Sequence, residues 1–587
     1  MNLQQLSYPL NVYASLLQQT YGCVDSLHFG LGRGGGQGDG QGDGQEGDLP
    51  MDYPAMQQAT RALLCACLPT EPAVIVDAGC GLGSLAARMS ALGHRVLAIS
   101  NNAEEVRIAR LNAPEAQVVL ADYAVLQPAE PADVVVMEHS AQYFDSLLLL
   151  SKAREWLSAG GSLLLLDEFQ LQDHAPMHNE RPLLAHFLRQ AVRSGFTIGS
   201  ARNLGVEVAP GLGHLEQLLR QHAQSLMETT GIDSKQLATL ADGFALQAEH
   251  LATEATGYVL LELRCPRLDA SSPVFGNIDS FNAAEVEPLF EGSFDSRFDR
   301  DLWQWKYTER GQAVVARISG QLVAHYGGVS RDIEYFGQAR RAVQICDVMV
   351  MPEHRSFVGR DTLFFRTAAT FLEQYVGNTG AHLLGFGFPN QRVLRMARRL
   401  GLYDVTDSFI ELRYAPAEQP QQLSGSSLQP FALEDPAGRA LVDGLWQGMA
   451  ARFTDHIIGV RDWSYLQYRY CRHPLWRSGY ESVLVECAQG QAVAIVKHVA
   501  GACLLMDLVG PPPVFRPALQ MLVSWLARDG KPLTCRITEA HAERLMLPGA
   551  QVQSLDIGIP CSIWTRGPDP EQLRGHWWLT AGDMDFV

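Results

Sequence analysis

Residues 72–168 alternate short apolar segments with amphipathic segments of helical period. The apolar segments include "AVIVDAG", "RVLAIS", "QVVLAD" and "ADVVVMEHS", and helical patterns such as "LAARMSALGH" and "EEVRIARLN" lie between them. Parallel strands are buried on both faces and need a crossover between them, usually a helix. The pattern therefore predicts an α/β domain with a doubly wound parallel sheet, which helices around 180–255 and the strand "GYVLLELRC" complete near residue 266.

A glycine-spaced turn, "VDAGCGLGSL", follows the first of these strands at residues 76–85. It lacks the GxGxxG spacing of a dinucleotide-binding turn and the GK[ST] end of a Walker loop. Asp77 followed by Gly79, Gly81 and Gly83 instead resembles the first motif of class I S-adenosylmethionine-dependent methyltransferases. The resemblance implies a Rossmann-like domain in which these glycines let the backbone approach the methionine moiety of S-adenosylmethionine, with Asp77 near its charged amino-acid end.

The same resemblance implies further contacts to this cofactor. The second strand ends at Ser100 and Asn101, where the family usually has an acid that binds the ribose hydroxyls. Hydroxyl or amide groups at this place are similar to those of tocopherol and sterol methyltransferases. Asp122 is then expected at the adenine amino group and Tyr123 along the adenine ring, and the aromatic segment "YGCVDSLHFGL" is expected to cover the cofactor.

Candidate catalytic groups follow the next strand, in "MEHSAQYF". Glu138 and His139 end this strand, and open α/β sheets bind ligands at the carboxyl ends of their strands. Glu138, His139 or His28 is therefore the candidate base that deprotonates a hydroxyl or amine acceptor. The sequence leaves the choice among the three open.

The C-terminal half contains an internal repeat. "WQWKY" at 303–307 is echoed by "LQYRY" at 466–470, and "VARISGQLVAHY" is echoed by "VECAQGQAVAIV". After an N-terminal domain at 1–266, this repeat predicts two copies of one α/β unit at 275–415 and 428–587. The Pro-, Gln- and Ser-rich "APAEQPQQLSGSSLQP" is the predicted linker between them.

The first copy contains "ICDVMVMPEHRSFVGRDTLFF" and then "HLLGFGFPNQRVLRMARRLGLYD". A strand, a turn with Arg355, a helix, and a second strand ending in GFPN resemble the GNAT acyltransferase superfamily. The resemblance implies a site for acetyl-coenzyme A or another acyl-coenzyme A, although Val358 and Arg360 stand where the family has glycines. It carries over Arg355 and Gly359 to the pyrophosphate, Val350 to the thioester, Asn390 to the pantetheine arm and Tyr403 to the catalytic tyrosine; Asp347, His325 and Glu353 are further candidate bases.

The second copy differs at the equivalent turn, which reads "LVGPPPVFRP". Proline has no amide hydrogen, so Pro511–Pro513 cannot offer backbone donors to a phosphate. We therefore expect this copy, a degenerate GNAT-like lobe, to bind no coenzyme A and to complete a two-lobed body.

Composition limits the possible partners. A formal net charge of −18 argues against binding to nucleic acid, no apolar run is long enough to span a membrane, and no signal peptide is recognisable. Eleven scattered cysteines form no CxxC pair, so no metal site is expected. The repeated G-Q-G-D of residues 32–48 predicts a flexible insertion. A cytoplasmic enzyme with a small-molecule, amino-sugar or peptide substrate is the resulting expectation.

Two functions agree with these patterns. The first is a bifunctional transferase that methylates an oxygen or nitrogen with S-adenosylmethionine and acylates an amine with an acyl-coenzyme A. The second is a methyltransferase alone, whose GNAT-like half binds the substrate or an acyl carrier protein without catalysis. The departures at Val358, Arg360 and Pro511–Pro513 favour the second.

Overall fold

The computed structural model describes residues 6–24, 26–32, 52–173, 181–267, 272–356, 359–416 and 425–584. These residues form two compact units, Met1–Gly276 (unit 1) and Asn277–Val587 (unit 2). Apart from Gly32, the insertion predicted at 32–48 lies outside the described residues.

Unit 1 alternates helices and strands as its sequence pattern predicts. Its helices are α1 (Leu10–Tyr21), α2 (Tyr53–Cys65), α3 (Ser84–Ala91), α4 (Ala103–Asn112), α5 (Ser146–Trp156), α6 (Leu184–Arg193), α7 (Gly205–Gln221), α8 (Ala223–Thr230) and α9 (Ser234–Ala252). Its strands are β1 (Val74–Ala78), β2 (Arg95–Ser100), β3 (Gln117–Leu120), β4 (Ala132–Glu138), β5 (Leu157–Gln170), β6 (Thr197–Asn203) and β7 (Thr256–Arg264).

The strands of unit 1 form one seven-stranded sheet in the order β3-β2-β1-β4-β5-β7-β6. β1 to β5 pair in parallel, and β7 runs antiparallel between β5 and β6. The predicted doubly wound sheet is confirmed. Because β1 and β4 are parallel neighbours, with Asp77 opposite Val136, their carboxyl ends bring the glycine turn beside Glu138 and His139.

Strand β8 (Val274–Asn277) spans the division between the units. The helices of unit 2 are α10 (Ala283–Phe294), α11 (Arg300–Arg310), α12 (Leu363–Tyr375), α13 (Gln391–Arg399), α14 (Arg439–Ala450), α15 (Trp463–Leu466), α16 (Trp476–Gly479), α17 (Phe515–Leu526), α18 (Ala542–Leu545) and α19 (Pro570–Leu573). Its strands are β9 (Gly311–Ile318), β10 (Gln321–Tyr335), β11 (Gln338–Val350), β12 (Leu384–Gly387), β13 (Tyr403–Tyr414), β14 (Ser427–Pro430), β15 (Ile457–Gly459), β16 (Tyr480–Cys487), β17 (Gly490–Val499), β18 (Ala502–Val509), β19 (Leu533–Thr538), β20 (Gln551–Ser562) and β21 (Trp577–Trp578).

The two sheets of unit 2 repeat one arrangement. In the first, β10 pairs antiparallel with β11, and β11 pairs parallel with β12 after the crossover helix α12. In the second, β17 pairs antiparallel with β18, and β18 pairs parallel with β19 after the crossover helix α17. The echo in the sequence therefore corresponds to a repeated supersecondary structure.

The two copies also exchange strands. β13 of the first copy lies between β19 and β20 in the second sheet, whereas β15 and β21 of the second copy extend the first sheet beside β10. Backbone hydrogen bonds thus connect the copies in both directions, and unit 2 is one compact body.

Candidate active sites

A cavity of about 490 Å³ lies at the carboxyl edge of the unit 1 sheet, and we call it the N-terminal cavity. The structure brings together in its lining nine of the residues predicted for cofactor binding or catalysis. They are His28, Asp77, Gly79, Gly81, Ser100, Asn101, Tyr123, Glu138 and His139. Gly83 and Asp122 are not in this lining.

The glycine turn is left-handed at all three of its glycines, with φ of 90° at Gly79, 49° at Gly81 and 84° at Gly83. A Cβ on Gly79 would lie 2.5 Å from the Cβ of Ser140, and one on Gly83 would lie 2.9 Å from Ala109 in α4. Gly81, by contrast, has open space beside it. Gly79 and Gly83 therefore allow close packing, whereas Gly81 leaves the backbone accessible to a ligand.

Two buried carboxyl groups lie behind this turn. Asp77 is 1% exposed, and its Oδ2 has no hydrogen-bond partner among the described residues. Burial raises the pKa of Asp77 to about 7, and burial together with the Asp77 charge raises the pKa of Glu138 to about 8. An unpartnered acceptor at the turn is what a cationic ligand group needs, so the residues fit S-adenosylmethionine.

His28 lies beside Glu138 in the N-terminal cavity. The His28 Nδ1 lies 2.8 Å from the carbonyl oxygen of Phe29 and therefore carries the ring proton. Its Nε2 faces Glu138 Oε1 at 3.1 Å, and burial lowers the pKa of His28 to about 3. The neutral imidazole therefore presents an acceptor nitrogen to the Glu138 carboxyl, and neither His28 Nε2 nor Glu138 Oε1 makes a hydrogen bond among the described residues.

His139 differs from Glu138 in its contacts. It has a left-handed φ of 55°, and its ring packs edge-on against Phe29 with centroids 4.4 Å apart. Burial lowers the pKa of His139 to about 3, and its Nδ1 has no hydrogen-bond partner among the residues described. His139 is therefore a neutral acceptor at the cavity.

The second strand brings a carboxylate that the sequence reasoning missed. The Ser100 hydroxyl donates to Glu105 Oε2 at 2.7 Å, and Glu105 lines the N-terminal cavity beside the exposed Asn101. Asn102 caps α4 by accepting from the amides of Glu104 and Glu105. The N-cap residue Asn102 is the sequence signal that could have indicated the position of Glu105, because it places Glu105 in the first helical turn, next to the strand end.

Asp122 and Tyr123 have different surroundings. Asp122 is exposed, and its Oδ1 accepts a hydrogen bond from the amide of Ala124 at 2.8 Å. Tyr123 is buried, donates to the carbonyl of Leu149 at 2.8 Å, and packs against Trp156 with ring centroids 4.5 Å apart. Tyr123 thus forms a rigid wall of the cavity, and the expected adenine contact of Asp122 stays a prediction.

The buried groups of this cavity predict an unusual pH dependence for unit 1 without ligand. Burial raises the pKa values of Asp77 and Asp167 to about 7 and that of Glu138 to about 8. His28 and His139 do not contribute to the pH dependence of stability above about pH 6.5, since both are then neutral in the folded and the unfolded chain. Above that pH the folded unit retains carboxyl protons that the unfolded chain has lost, so stability falls as pH rises.

Raising the pH from about 6.5 to about 8.5 is thus expected to lower the free energy of unfolding of unit 1 by about 3–4 kcal/mol. Denaturant titrations at several pH values measure this slope. Glu138→Gln should flatten the upper part of the dependence, near its pKa of about 8. A stability that rises over this range would contradict the protonated carboxyls.

A second cavity, of about 580 Å³, lies in unit 2 where β11 and β12 separate. The strands pair in parallel from Ala342 opposite Leu384 to Ile345 opposite Gly387, and no pair follows among the described residues. Residues 345–348 of β11 and residues 387–390, which begin at the last residue of β12, line the space between the strands. We call this space the split-strand cavity.

One wall of the split-strand cavity is aromatic and apolar. The Phe290 ring contacts those of Phe294 and Phe298, with centroids 5.0 and 5.4 Å apart, and Leu302 and Trp303 continue this wall. Such a wall favours an apolar ligand group.

The cavity also contains a buried ion pair. Lys306 Nζ lies 3.2 Å from both carboxylate oxygens of Asp347, and the Tyr307 hydroxyl donates to Asp347 Oδ2 at 2.9 Å. Burial opposes ionisation, but Lys306 and His325 hold the pKa of Asp347 below its usual range. Lys306 carried no signal in the sequence, because its partner is 41 residues away.

Tyr403 lies in this lining as well. Its hydroxyl is 2.7 Å from that of Tyr326, and burial raises the pKa of Tyr403 well above its usual value. Tyr403 therefore keeps its proton. Of the other candidate bases, His325 is buried with Nδ1 2.7 Å from the Asp347 carbonyl, and Glu353 is exposed.

The residues expected to contact coenzyme A are dispersed. Asn390 lines the split-strand cavity and caps α13 by accepting from the Val393 amide at 3.0 Å. Arg355 donates to the carbonyls of Val350 at 2.8 Å and Ser293 at 3.2 Å. Gly359, with φ of 93°, is exposed, and Val350, Arg355 and Gly359 are not in this lining. Val358 lies outside the described residues.

Comparison with known protein families matches a part of each unit. Residues 76–165 match the family model of a methyltransferase domain, and residues 279–388 match that of an acetyltransferase (GNAT) domain. The chain is therefore a fusion of these two kinds of domain. No curated protein matches the chain.

Several solved structures are similar to part of the chain. A cyclopropane synthase from Mycobacterium tuberculosis is 18% identical, with 37% of this chain and 87% of that chain covered and a TM-score of 0.34. A putative sarcosine dimethylglycine methyltransferase from Galdieria sulphuraria is 11% identical, with 37% and 88% covered and a TM-score of 0.33. A geranyl diphosphate C-methyltransferase from Streptomyces coelicolor is 16% identical, with 45% and 98% covered and a TM-score of 0.32.

Two features are absent from the described part of the chain. None of its helices combines the length and hydrophobicity that crossing a membrane requires. Nor do its His, Cys, Asp and Glu side chains form a group of three or more that could hold a metal ion.

Proposed function

We propose that this protein is a bifunctional transferase. Unit 1 would transfer a methyl group from S-adenosylmethionine to an oxygen or nitrogen of a small-molecule, amino-sugar or peptide acceptor. The first GNAT-like copy would transfer an acyl group from an acyl-coenzyme A, such as acetyl-coenzyme A, to an amine. The observation that carries the proposal is the N-terminal cavity, where an accessible glycine turn, an unpartnered Asp77 oxygen and the His28–Glu138 pair converge.

S-adenosylmethionine, when bound, supplies an electrophilic methyl group on a cationic sulfur. Asp77 and the backbone at Gly81 would hold it, and Glu105 with Ser100 would offer acceptors to hydroxyl groups. Ionised Asp77 favours a cationic ligand, because the two charges meet in a buried place where water screens little.

Glu138 is the proposed general base for the methyl acceptor. A base works best when its pKa is near the working pH, and the pKa of Glu138 is about 8 whereas that of His139 is about 3. His28 would act as a positioning residue, since its Nε2 faces the Glu138 carboxyl from 3.1 Å. Loss of the Glu138 proton would leave a carboxylate that accepts a proton from a hydroxyl or amine.

In the split-strand cavity, Tyr403 is the proposed proton donor to the departing thiolate. Its raised pKa keeps the phenol protonated, and Tyr326 can return a proton to it across 2.7 Å. Asp347 remains ionised beside Lys306 and can orient an amine. The apolar wall supports an acyl group longer than acetyl.

Narrowing this wall tests the size of the acyl group. Leu302→Trp adds volume at a half-buried lining position, and it is expected to reduce octanoyl transfer about 10-fold while acetyl transfer changes less than about twofold. Rates with acetyl- and octanoyl-coenzyme A measure the ratio. Leu441→Trp, a half-buried position on α14, is the matched control. An unchanged ratio would place the acyl group elsewhere.

Both activities are tested on the full chain. Calorimetry with S-adenosylhomocysteine and with acetyl-coenzyme A should give heat of binding for each. Mass spectrometry of metabolites from cells with and without the protein should then show products differing by one methyl and by one acyl group. Absence of binding to S-adenosylhomocysteine would refute the proposed methyl transfer.

The second candidate is a methyltransferase whose GNAT-like half is a binding module for the substrate or for an acyl carrier protein. The position of Arg355 favours it, because the guanidinium already donates to the carbonyls of Val350 and Ser293. Acetyl-coenzyme A separates the two candidates, since a module without a site for it would give no heat.

A further inference from the structure

Three arginines converge on one solvent-open depression in the second copy of unit 2. Arg452, Arg516 and Arg544 line it together with Pro512 and Pro513. Arg452 follows α14, Arg516 is the second residue of α17, and Arg544 lies in α18. Tertiary structure therefore gathers three positive charges from distant parts of the sequence.

This concentration of charge is unusual in a chain whose formal net charge is −18. Among the described residues, none of the three guanidinium groups has a carboxylate within ion-pair distance; Arg516 donates to a carbonyl and Arg544 to an imidazole. Like charges placed together repel one another, so the arrangement is stabilised when an anion lies between them.

Arg516 and Arg544 are each held by contacts to neighbouring groups. Arg516 Nη2 donates to the carbonyl of Glu543 at 2.6 Å. Arg544 Nη2 donates to His456 Nε2 at 2.9 Å, and its guanidinium lies 4.9 Å from the ring centroid of Phe453. Each of these contacts uses one edge of a planar group, which leaves further N–H donors for a ligand.

His456 is the residue that orients Arg544. Its Nδ1 lies 2.9 Å from Asp455 Oδ1, and arginine can only donate, so His456 Nε2 must accept from Arg544. The Asp455 carboxylate lies at the other ring nitrogen, which makes no hydrogen bond among the described residues, and it forms no ion pair with the Arg544 guanidinium. A preorganised donor loses less entropy when it binds.

The prolines define what kind of donor is present. Pro512 and Pro513 have no amide hydrogen, so the turn before α17 cannot bind an anion through these backbone groups. Side-chain guanidinium groups are the donors instead. Each guanidinium group can pair with phosphate through two parallel N–H donors. Three of them carry more positive charge than a single carboxylate would neutralise.

We propose that Arg452, Arg516 and Arg544 bind the phosphate or pyrophosphate group of a small phosphate ester. This gives the second copy a ligand of its own, beyond the methyl and acyl transfer proposed above. Its turn follows β18 and precedes α17, as the turn of the first copy follows β11 and precedes α12, but its chemistry differs because side chains replace amides.

Calorimetry of the full chain with inorganic pyrophosphate tests the site. The wild type should bind pyrophosphate, and Arg452→Gln should weaken binding at least about 10-fold, because one charged contact is lost. Arg452 is exposed and makes no side-chain hydrogen bond among the described residues, so its replacement should leave the melting temperature unchanged. Arg528→Gln, an exposed arginine beyond the other end of α17, is the matched control and should bind as the wild type does.

A second titration, with coenzyme A, shows whether the phosphate bound at this site is that of coenzyme A or that of another phosphate ester. If Arg452→Gln weakens both ligands, the site accepts the phosphates of coenzyme A; if it weakens pyrophosphate alone, the site belongs to another phosphate ester. Absence of pyrophosphate binding by the wild type would overturn the proposal, as would equal effects of Arg452→Gln and Arg528→Gln. Loss of acyl transfer in the first copy, with pyrophosphate binding retained, would refute only the proposed acyl transfer.

Discussion

Asp77→Asn is expected to weaken S-adenosylmethionine binding by about 10- to 100-fold, since a hydrogen bond to a charged group contributes about 1.5–3 kcal/mol. Asparagine keeps the shape of the side chain but has no negative charge. The Asp77 carboxyl is buried at the glycine turn, its Oδ2 has no partner among the described residues, and its pKa is about 7. A bound cation would therefore favour the carboxylate and gain a poorly screened attraction.

Calorimetry with two ligands shows which cation Asp77 faces. S-adenosylhomocysteine has the amino-acid end but lacks the sulfonium charge. Equal weakening of both ligands would place Asp77 at the amino-acid end, as the resemblance implies, and a selective loss of S-adenosylmethionine would place it near the sulfur. Unchanged binding of both would contradict a role of Asp77 in the site.

Asp122→Asn is the matched comparison for this variant. The Asp122 side chain is exposed, accepts from the Ala124 amide and is absent from the cavity lining. Its geometry therefore predicts a change of less than about twofold. A loss as large as that of Asp77→Asn would instead support the adenine contact that the resemblance implies.

Arg461→Met should lower the free energy of unfolding of unit 2 by about 3–5 kcal/mol, the usual cost of removing one partner from a buried ion pair. Arg461 is fully buried and donates to Asp507 Oδ1 at 2.8 Å, to Asp583 Oδ2 at 2.6 Å and to the Gly459 carbonyl at 2.7 Å. Methionine fills much of the volume but leaves two buried carboxylates without this cation.

The network around Arg461 connects distant parts of unit 2. Arg331 in β10 donates to the second oxygen of Asp583 at 2.7 Å, and Tyr470 donates to Asp507. The C-terminal residues 580–583 are therefore held by both copies of the repeat, and we expect the variant to loosen this segment first.

Denaturant unfolding, followed by tryptophan fluorescence, measures the loss. Arg439→Met removes an exposed arginine that pairs with Asp443 at 3.5 Å, and it should cost no more than about 1 kcal/mol. A loss for Arg461→Met as small as that of the control would show that the buried network contributes little to stability.

Local sequence patterns were sufficient for much of unit 1. The period of apolar residues predicted the strands and helices, and their alternation predicted the parallel sheet, because both depend on near neighbours in the chain. The spacing of Asp77, Gly79, Gly81 and Gly83 predicted the turn, since left-handed backbone favours glycine. Parallel pairing of β1 with β4 then brought Glu138 and His139 beside it, as expected for the carboxyl edge of an open sheet.

The composition of each site was less predictable. Glu105 reaches the N-terminal cavity through the start of α4, and Lys306 meets Asp347 only because α11 packs near β11. Arg355 resembles a coenzyme A contact in sequence, yet its guanidinium binds local carbonyls. Long side chains contact partners that lie far away in sequence, and a local sequence pattern does not predict which partner is contacted.

The sequence by itself thus determined the parallel sheet of unit 1, the glycine turn and the presence of a repeat, because periodicity and backbone preference act over a few residues. Only the tertiary structure decided that β13, β15 and β21 cross between the copies and that Arg461 joins Asp507 to Asp583. It also decided the protonation of Glu138 and the meeting of Arg452, Arg516 and Arg544. The physical reason is that burial and charge depend on what surrounds a side chain in space, which only the assembled fold defines.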